Sequence, residues 1–190
     1  MSNQINKLKI LGISGSIRTG SYNTAILNNI KRIAKEKREL EIEIFDIKNI
    51  PVFNPDDEKI PPQIVIEFKN KIRESDAIIF VSPEYNYSVP GVLKNAIDWA
   101  TRPYGDNSFE GKAAAIVGAS PGMIGTARMQ YQLRQIMVFC NMHPINKPEM
   151  MINNVHEKID KEGNLKDTKT EEKIIEMIDS LVNWTVQLKK

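Results

Sequence analysis

The sequence is poor in the residues that build covalent cross-links or metal centres. Its 190 residues include one cysteine and two histidines. A single cysteine excludes an intrachain disulfide and a cysteine-only metal cluster. His143 and His156 lie in unlike contexts without metal-ligand spacing, so we interpret both as structural or surface residues. Cys140 ends a predicted helix and is interpreted as a small buried hydrophobe rather than a nucleophile.

Long apolar runs and a strong charge of one sign are also missing. No stretch approaches the ~20 apolar residues that a membrane-spanning helix needs, so we expect no membrane span. The net charge is +2 and the basic residues are scattered, which gives no reason to expect a nucleic-acid partner. A strand begins close to Leu8, so we expect no signal peptide and a reducing, cytoplasmic location.

What the chain does contain is an alternation of strand-like and helix-like patterns. Hydrophobic residues make up 41% and charged residues 26%, which is ordinary globular composition. Strands are predicted at residues 8–13, 42–45, 77–81, 113–117 and 150–152. Helices are predicted at 21–37, 62–74, after Pro90, at 126–139 and at 171–189. Strict alternation predicts an α/β, flavodoxin-like three-layer sandwich whose five-stranded parallel sheet has the order 2-1-3-4-5. We expect one domain spanning residues 1–190.

Residues 14–24 follow the first predicted strand and are rich in hydroxyl side chains. They contain serines, threonines, an amide and Arg18, and they open a helix. Free N–H groups at a helix N-terminus favour an anion, and Arg18 can add a charge-assisted hydrogen bond. The segment has neither a P-loop lysine nor a Gly-x-Gly-x-x-Gly pattern, so a terminal monophosphate suits it better. The alternative is that these side chains only cap the helix and form turns.

The most informative segment is residues 83–99, which follows the third predicted strand. Between Pro83 and Pro90 it places two tyrosines, a carboxylate and an amide, where open α/β sheets bind ligands. Tyrosine rings in such a loop suit a flat, conjugated ligand. Glu84 is either a general acid or base or, in our preferred interpretation, a carboxylate that orients the loop or is solvated. Trp99 is interpreted as packing.

A third loop, residues 118–126, follows the fourth predicted strand and is rich in glycine and serine. Its glycines permit close approach of the backbone to a ligand, although a plain strand-to-helix turn would look similar. All three loops are expected at the same edge of the sheet. Aromatic side chains and backbone donors without an acid–base pair or a Gly-x-Ser-x-Gly elbow indicate that a cofactor carries the chemistry.

At these loops the chain resembles the NADPH-dependent FMN reductase family, nearly end to end and closest to its quinone reductase/chromate reductase branch. Residues 15–23 are similar to the family's phosphate loop, residues 83–99 to its flavin-ring loop, and residues 118–135 to its third loop and following helix. Met123 stands where this branch commonly has a second glycine, which leaves the acceptor range open. The resemblance implies bound FMN and NADPH or NADH as co-substrate. It also implies these cofactor-binding residues: Ser16, Arg18, Ser21, Asn23, Thr24, Pro83, Glu84, Tyr85, Asn86, Ser120 and Gly122.

The activity implied by the resemblance is hydride transfer from NAD(P)H to FMN. Electrons then pass to a small-molecule acceptor such as a quinone, an azo compound, free flavin or a metal oxyanion, in ping-pong fashion. Two alternatives stay open, a flavodoxin-type electron carrier and a flavin-sensing binding protein. Apolar helices after Pro90 and Thr126 lead us to expect a homodimer or homotetramer, with Arg128 and Tyr131 available for contacts across the interface.

Overall fold

The alternating pattern builds a parallel sheet covered by helices on both faces. The computed structural model describes residues 8–190. The strands are β1 (Ile10–Ser14), β2 (Ile42–Phe45), β3 (Ala77–Val81), β4 (Ala113–Ala119), β5 (His143–Pro144) and β6 (Met150–Ile152). The helices are α1 (Tyr22–Arg38), α2 (Gln63–Glu74), α3 (Gly91–Ala100), α4 (Ala127–Phe139), α5 (Val155–Lys158) and α6 (Thr168–Leu188).

The sheet has the predicted order β2-β1-β3-β4-β5, and its strand pairs are parallel. The prediction of a single fifth strand was wrong, because two short strands, β5 and β6, both pair with β4 at that edge of the sheet. β5 pairs with β4 at Ala113 and Ala114, whereas β6 pairs with β4 from Val117 to Ala119. The Ile145 N–H still donates to the Ala114 carbonyl at 2.8 Å, and Pro148, which has no backbone N–H, lies between the two strands.

Each face of the sheet packs on its own set of helices. One apolar cluster joins Ile79 and Val81 of β3 to α1 and α6, and the other joins Ile78 and Phe80 to α2, α3 and α4. The central strands are therefore buried on both sides, which explains why they read as continuous apolar runs rather than as alternating ones.

The C-terminal region is more ordered than the predicted charged turn at residues 157–170. It contains α5 and a bridge between Ile159 and Leu165. α6 begins at Thr168, three residues before the predicted start, because the Asp167 carboxylate caps it by accepting from the Thr170 N–H at 2.9 Å. Across residues 8–190, no helix is both long enough and apolar enough to cross a membrane.

Candidate flavin-binding site

The loop after β1 is shaped by its own hydroxyl groups. The Ser14 and Thr24 hydroxyls lie 2.9 Å apart, and Ser21 caps α1 by accepting from the Thr24 N–H at 3.4 Å. Ser16 accepts from the Arg18 N–H at 3.4 Å. These contacts leave the N–H groups of residues 19, 20, 22 and 23 without an acceptor among the described residues. The open N–H groups surround the N-terminus of α1, which is the arrangement that favours a bound anion.

Asn23 joins this first loop to the end of β4. Its side chain is buried, with 3% exposure. The Asn23 amide donates to the Ala119 carbonyl and accepts from the Ala119 N–H, both at 2.9 Å. Both functional groups of this side chain are therefore engaged within the chain, and the donors that Asn23 has left for an anion are its backbone N–H and the second hydrogen of its amide nitrogen.

The loop after β3 folds into a tight two-residue hairpin. Tyr85 and Ser88 exchange two backbone hydrogen bonds, at 3.1 and 2.9 Å. The two residues between them, Asn86 and Tyr87, both have positive φ, at 50° and 65°. Positive φ at both central positions is typical of a type I′ turn, which asparagine tolerates and tyrosine rarely adopts. The turn holds Tyr85 and Tyr87 in the open, with 50% and 65% exposure.

Glu84 fastens this hairpin to the N-terminus of α4. One carboxylate oxygen accepts from Arg128 Nε at 2.7 Å, and the other accepts from the Met129 N–H at 3.1 Å. The Arg128 guanidinium also lies 3.6 Å from the centre of the Tyr87 ring. A carboxylate at a helix N-terminus is stabilised by the open N–H groups there. The geometry therefore supports the loop-orienting interpretation of Glu84.

The loop after β4 is packed so closely that two positions require glycine. A Cβ on Gly118 would come within 1.7 Å of the Thr126 hydroxyl oxygen. Gly125 has φ of 61°, and a Cβ there would meet the backbone of Met151 at 2.9 Å. By contrast, Gly122 is exposed and open, and its carbonyl accepts from the Ser120 hydroxyl at 3.2 Å.

The three loops meet at the carboxyl ends of β1, β3 and β4. The Gly15 N–H donates to the Val81 carbonyl at 2.9 Å, and the Ser82 N–H donates to the Val117 carbonyl at 2.9 Å. A Cβ on Gly15 would come within 2.3 Å of the Ser82 hydroxyl oxygen. Together with the two hydrogen bonds between Asn23 and Ala119, these contacts bring the N-terminus of α1, a pair of exposed tyrosines and a glycine-rich turn to one edge of the sheet.

Comparison with known proteins identifies the family of this chain. Residues 8–157 match the NADPH-dependent FMN reductase family. The chain belongs to that family. A Pseudomonas aeruginosa NAD(P)H-dependent FMN reductase is 48% identical over 183 residues, which cover 96% of this chain and 97% of the relative. An NAD(P)H:quinone oxidoreductase of Solanum tuberosum is 44% identical over 187 residues, which cover 96% of this chain and 95% of that relative.

A solved structure agrees with this family assignment. FerB, a flavoenzyme NAD(P)H:(acceptor) oxidoreductase from Paracoccus denitrificans, has a TM-score of 0.87 and 36% identity, covering 95% of this chain and 98% of that one. Membership in the family makes this chain an oxidoreductase that uses FMN and NAD(P)H.

The residues at the sheet edge fit FMN. The open N–H groups at the start of α1 suit its phosphate, and the exposed tyrosines of the second loop suit its aromatic ring system. The third loop presents backbone and the Ser120 hydroxyl between these two parts. The side chains of Ser21, Asn23 and Thr24 make contacts that build the site. The hydroxyls of Ser16 and Ser21 only accept in these contacts, so their O–H groups, together with the open backbone N–H groups, are the donors left for the phosphate.

Arg18 lies at the rim of the first loop and is exposed. One of its terminal nitrogens donates to the Gly20 carbonyl at 2.9 Å, and its guanidinium carbon lies 5.8 Å from the centre of the Tyr22 ring. The guanidinium therefore lies beside Gly20 and Tyr22, two of the residues whose backbone N–H groups are open.

The residues interpreted as structural lie away from this edge or inside the core. Trp99 is 2% exposed and donates from Nε1 to the Pro51 carbonyl at 2.9 Å. Cys140 is also 2% exposed, and burial raises the pKa of its thiol to about 11. His143 lies in β5, and His156 is largely exposed beside Glu157. The packing interpretations of Trp99 and Cys140 are confirmed.

Sequence reasoning did not assign site roles to Arg128 and Met129, and it named Tyr87 only as one of the two tyrosines suited to a flat ligand. Arg128 was expected at an interface between subunits, but within this chain it pairs with Glu84 and stacks on Tyr87. The available signal was the charge complementarity of Glu84, in the second loop, and Arg128, in the first turn of the helix that follows the third loop, since these two loops were predicted to meet. The backbone N–H of Met129 carries no residue-specific signal, because any residue in the first turn of α4 would supply it.

Proposed function

We propose that the chain, as one domain of residues 1–190, binds one FMN across the three loops and oxidises NAD(P)H in a ping-pong reaction. The observation that supports this most is the convergence of the open N–H groups, the exposed tyrosines and the glycine-rich turn at one sheet edge. The unpaired, buried Cys140 accords with a reducing cytoplasmic location.

The work of the protein in this proposal is binding, orientation and water exclusion. The phosphate would be held at the start of α1 by residues of the first loop, namely Ser16, Arg18, Ser21, Asn23 and Thr24. The ring would be framed by Pro83, Glu84, Tyr85 and Asn86, and the ribityl side by Ser120 and Gly122. Bound FMN supplies the two-electron chemistry. Because Glu84 is engaged by Arg128 and Met129, it holds the ring-binding loop in place and transfers no proton.

A quinone is the acceptor class we favour. The relative from Solanum tuberosum is named for quinones, as is a Burkholderia relative, 36% identical and named a 2-hydroxy-1,4-benzoquinone reductase. In this chain the third loop exposes Met123 and Ile124, at 80% and 52%. These exposed apolar side chains belong to the third loop, which ends at the same sheet edge as the loop of the exposed tyrosines, and they suit a flat and weakly polar acceptor. An azo compound, free flavin and a metal oxyanion complete the panel to be assayed.

The active form is proposed to be a homodimer or homotetramer joined through α4. The apolar surplus expected on α3 is covered within the chain, since Leu93, Ile97 and Trp99 are buried. On α4, Met129, Leu133 and Met137 are buried as well, but Phe139 and its neighbour Val138 are 73% and 80% exposed. With Tyr131 they form one stripe of the helix at i, i+7 and i+8, and a second copy of this chain would cover it. Light scattering at low micromolar concentration should give a mass above 21.6 kDa; a fully active monomer would refute this assembly.

The experiment that tests the function starts with the absorbance spectrum of the purified protein. A flavin spectrum is expected, and anaerobic addition of NADPH or NADH should bleach it. Reoxidation by a quinone, with parallel lines in double-reciprocal plots, would support the ping-pong order. A flavin spectrum that NAD(P)H does not bleach would contradict the proposal and favour an electron carrier or a flavin-sensing protein.

A further inference from the structure

A long groove follows the flank of α1 and begins at the first loop. Its cavity volume is about 1150 Å³, and it extends from Arg18 past Tyr22 and Asn28 to Arg32. Arg32 lies ten residues beyond Tyr22, or ~15 Å along the helix axis. The groove therefore continues well past the turn that would hold the FMN phosphate, and it has room for a second ligand.

The far wall of the groove is the turn between Ile159 and Leu165, and a buried amide fixes that wall to α1. Asn29 is 4% exposed. Its amide nitrogen donates to the Gly163 carbonyl at 2.8 Å, and its amide oxygen accepts from the Leu165 N–H at 3.0 Å. Because these hydrogen bonds join the two walls directly, the groove is preformed.

The charged side chains along the groove favour an anion. Its lining includes four cationic side chains and two carboxylates. Among the described residues, Arg18, Lys161 and Lys166 have no carboxylate within 4.0 Å, whereas Arg32 is paired with Glu36 at 2.7 Å. The two Asp160 carboxylate oxygens accept from Asn164, at 2.7 and 3.0 Å.

The groove also offers a flat aromatic surface next to one of these cations. The ring of Tyr22 is half-buried and lines the groove close to the Arg18 guanidinium. An aromatic face beside an arginine is suited to a nucleobase that carries a phosphate nearby.

We propose that this groove binds the adenosine 2′-phosphate end of NADPH, with Lys166 contacting the phosphate and Tyr22 contacting the adenine. This inference rests on the proposed function, in which NAD(P)H delivers hydride at the adjoining flavin site. NADPH differs from NADH by one phosphate group, so cations without ion-pair partners in a groove that adjoins this site are what would discriminate between the two. The chain is therefore expected to prefer NADPH.

The test uses the FMN-loaded protein and calorimetric titration with 2′,5′-ADP, with 5′-AMP as the probe that lacks the 2′-phosphate. Lys166→Ala is the variant of choice because Lys166 is exposed and lies outside the first loop. Lys169→Ala is the matched control, since Lys169 is an exposed lysine that does not line this groove. Loss of one exposed charge-assisted contact should weaken 2′,5′-ADP binding by about 3- to 10-fold.

The kinetic counterpart is the ratio of kcat/KM for NADPH to that for NADH. This ratio should fall by a similar factor in Lys166→Ala, further in Lys166→Glu, and not in Lys169→Ala. Equal affinities for 2′,5′-ADP and 5′-AMP, or a Lys166→Glu variant with unchanged 2′,5′-ADP affinity, would overturn the inference. If NADPH is still oxidised in that case, only the groove assignment fails. If 2′,5′-ADP binds as expected but NADPH is not oxidised, the proposed function fails and the groove assignment stands.

Discussion

Replacing Glu84 with glutamine tests whether the second loop owes its shape to a single carboxylate. Glutamine has nearly the same size but no charge, and its NH₂ group cannot accept a hydrogen bond. In Glu84→Gln the Arg128 Nε or the Met129 N–H must therefore lose its acceptor. The hairpin would then be held to α4 by one neutral hydrogen bond instead of two charge-assisted ones.

The expected magnitude follows from these contacts. A hydrogen bond to a charged group contributes about 1.5–3 kcal/mol, and a carboxylate at a helix N-terminus contributes about 0.3–1 kcal/mol more. The Arg128 side chain is 40% exposed, so solvent screens the pair and the lower part of the range applies. We expect a cost of about 1–2 kcal/mol, which is roughly 5- to 30-fold in FMN affinity if the ordered hairpin is needed to bind the ring.

The assay is fluorescence titration of the apo-protein with FMN, together with hydrogen exchange of residues 83–89. Exchange should become faster in Glu84→Gln. Arg128→Lys should show a smaller change, because lysine keeps the charge but loses the planar contact with Tyr87. Glu67→Gln is the control, since Glu67 is exposed on α2 and contacts only Gln63.

Two results would refute this reasoning about the hairpin. Unchanged FMN affinity and unchanged exchange in Glu84→Gln would show that the carboxylate does not hold the loop. A large fall in kcat with unchanged FMN affinity would return Glu84 to the role of a general acid or base.

Three further expectations concern the interior. Asn23→Ala leaves both backbone groups of Ala119 buried and unpaired. Thermal unfolding of the apo-protein should therefore show a loss of stability of about 2 kcal/mol, or a fall of roughly 4–8 °C in Tm. An unchanged Tm would mean that water replaces the amide. For Asp106, burial raises the pKa, but hydrogen bonds from Lys69 and Arg73 outweigh it and hold the pKa below its usual value. The ionised Asp106 carboxylate therefore stabilises the fold above the unfolded-state pKa of about 3.9, and this stabilisation is lost as the pH falls through the lower folded-state pKa. Asp106→Asn should lower the free energy of unfolding of the apo-protein at pH 7, measured by urea titration, and should make that free energy decline less steeply as the pH is lowered. Cys140, whose pKa is raised to about 11, should react with a thiol reagent at pH 8 only after unfolding, and rapid labelling of the native protein would contradict its burial.

The strands and their order could be predicted because the signal is local. Short apolar runs alternate with amphipathic segments, and parallel strands need helical crossovers of limited topology. The divided fifth position was not predicted. The two strands there are only two and three residues long, which is too short to show a periodic pattern in the sequence. Both can pair with the sheet because β4 is long enough to hold them at different positions along its length.

The position of the candidate site could also be predicted from the sequence. Each loop follows a recognisable strand, and parallel strands end at the same edge of the sheet. The residue types of the first two loops then pointed to a phosphate and to a flat ring, and the family assignment agrees with both.

The roles of individual side chains within the site were decided by the tertiary structure. Asn23 and Ala119 are 96 positions apart, and Glu84 and Arg128 are 44 positions apart. Whether a polar side chain faces a ligand or a neighbouring loop depends on which distant backbone group lies within hydrogen-bonding distance. That distance is set by how the three loops pack over the strand ends, through contacts such as those of Gly15 and Gly118, and no local pattern in the sequence encodes it.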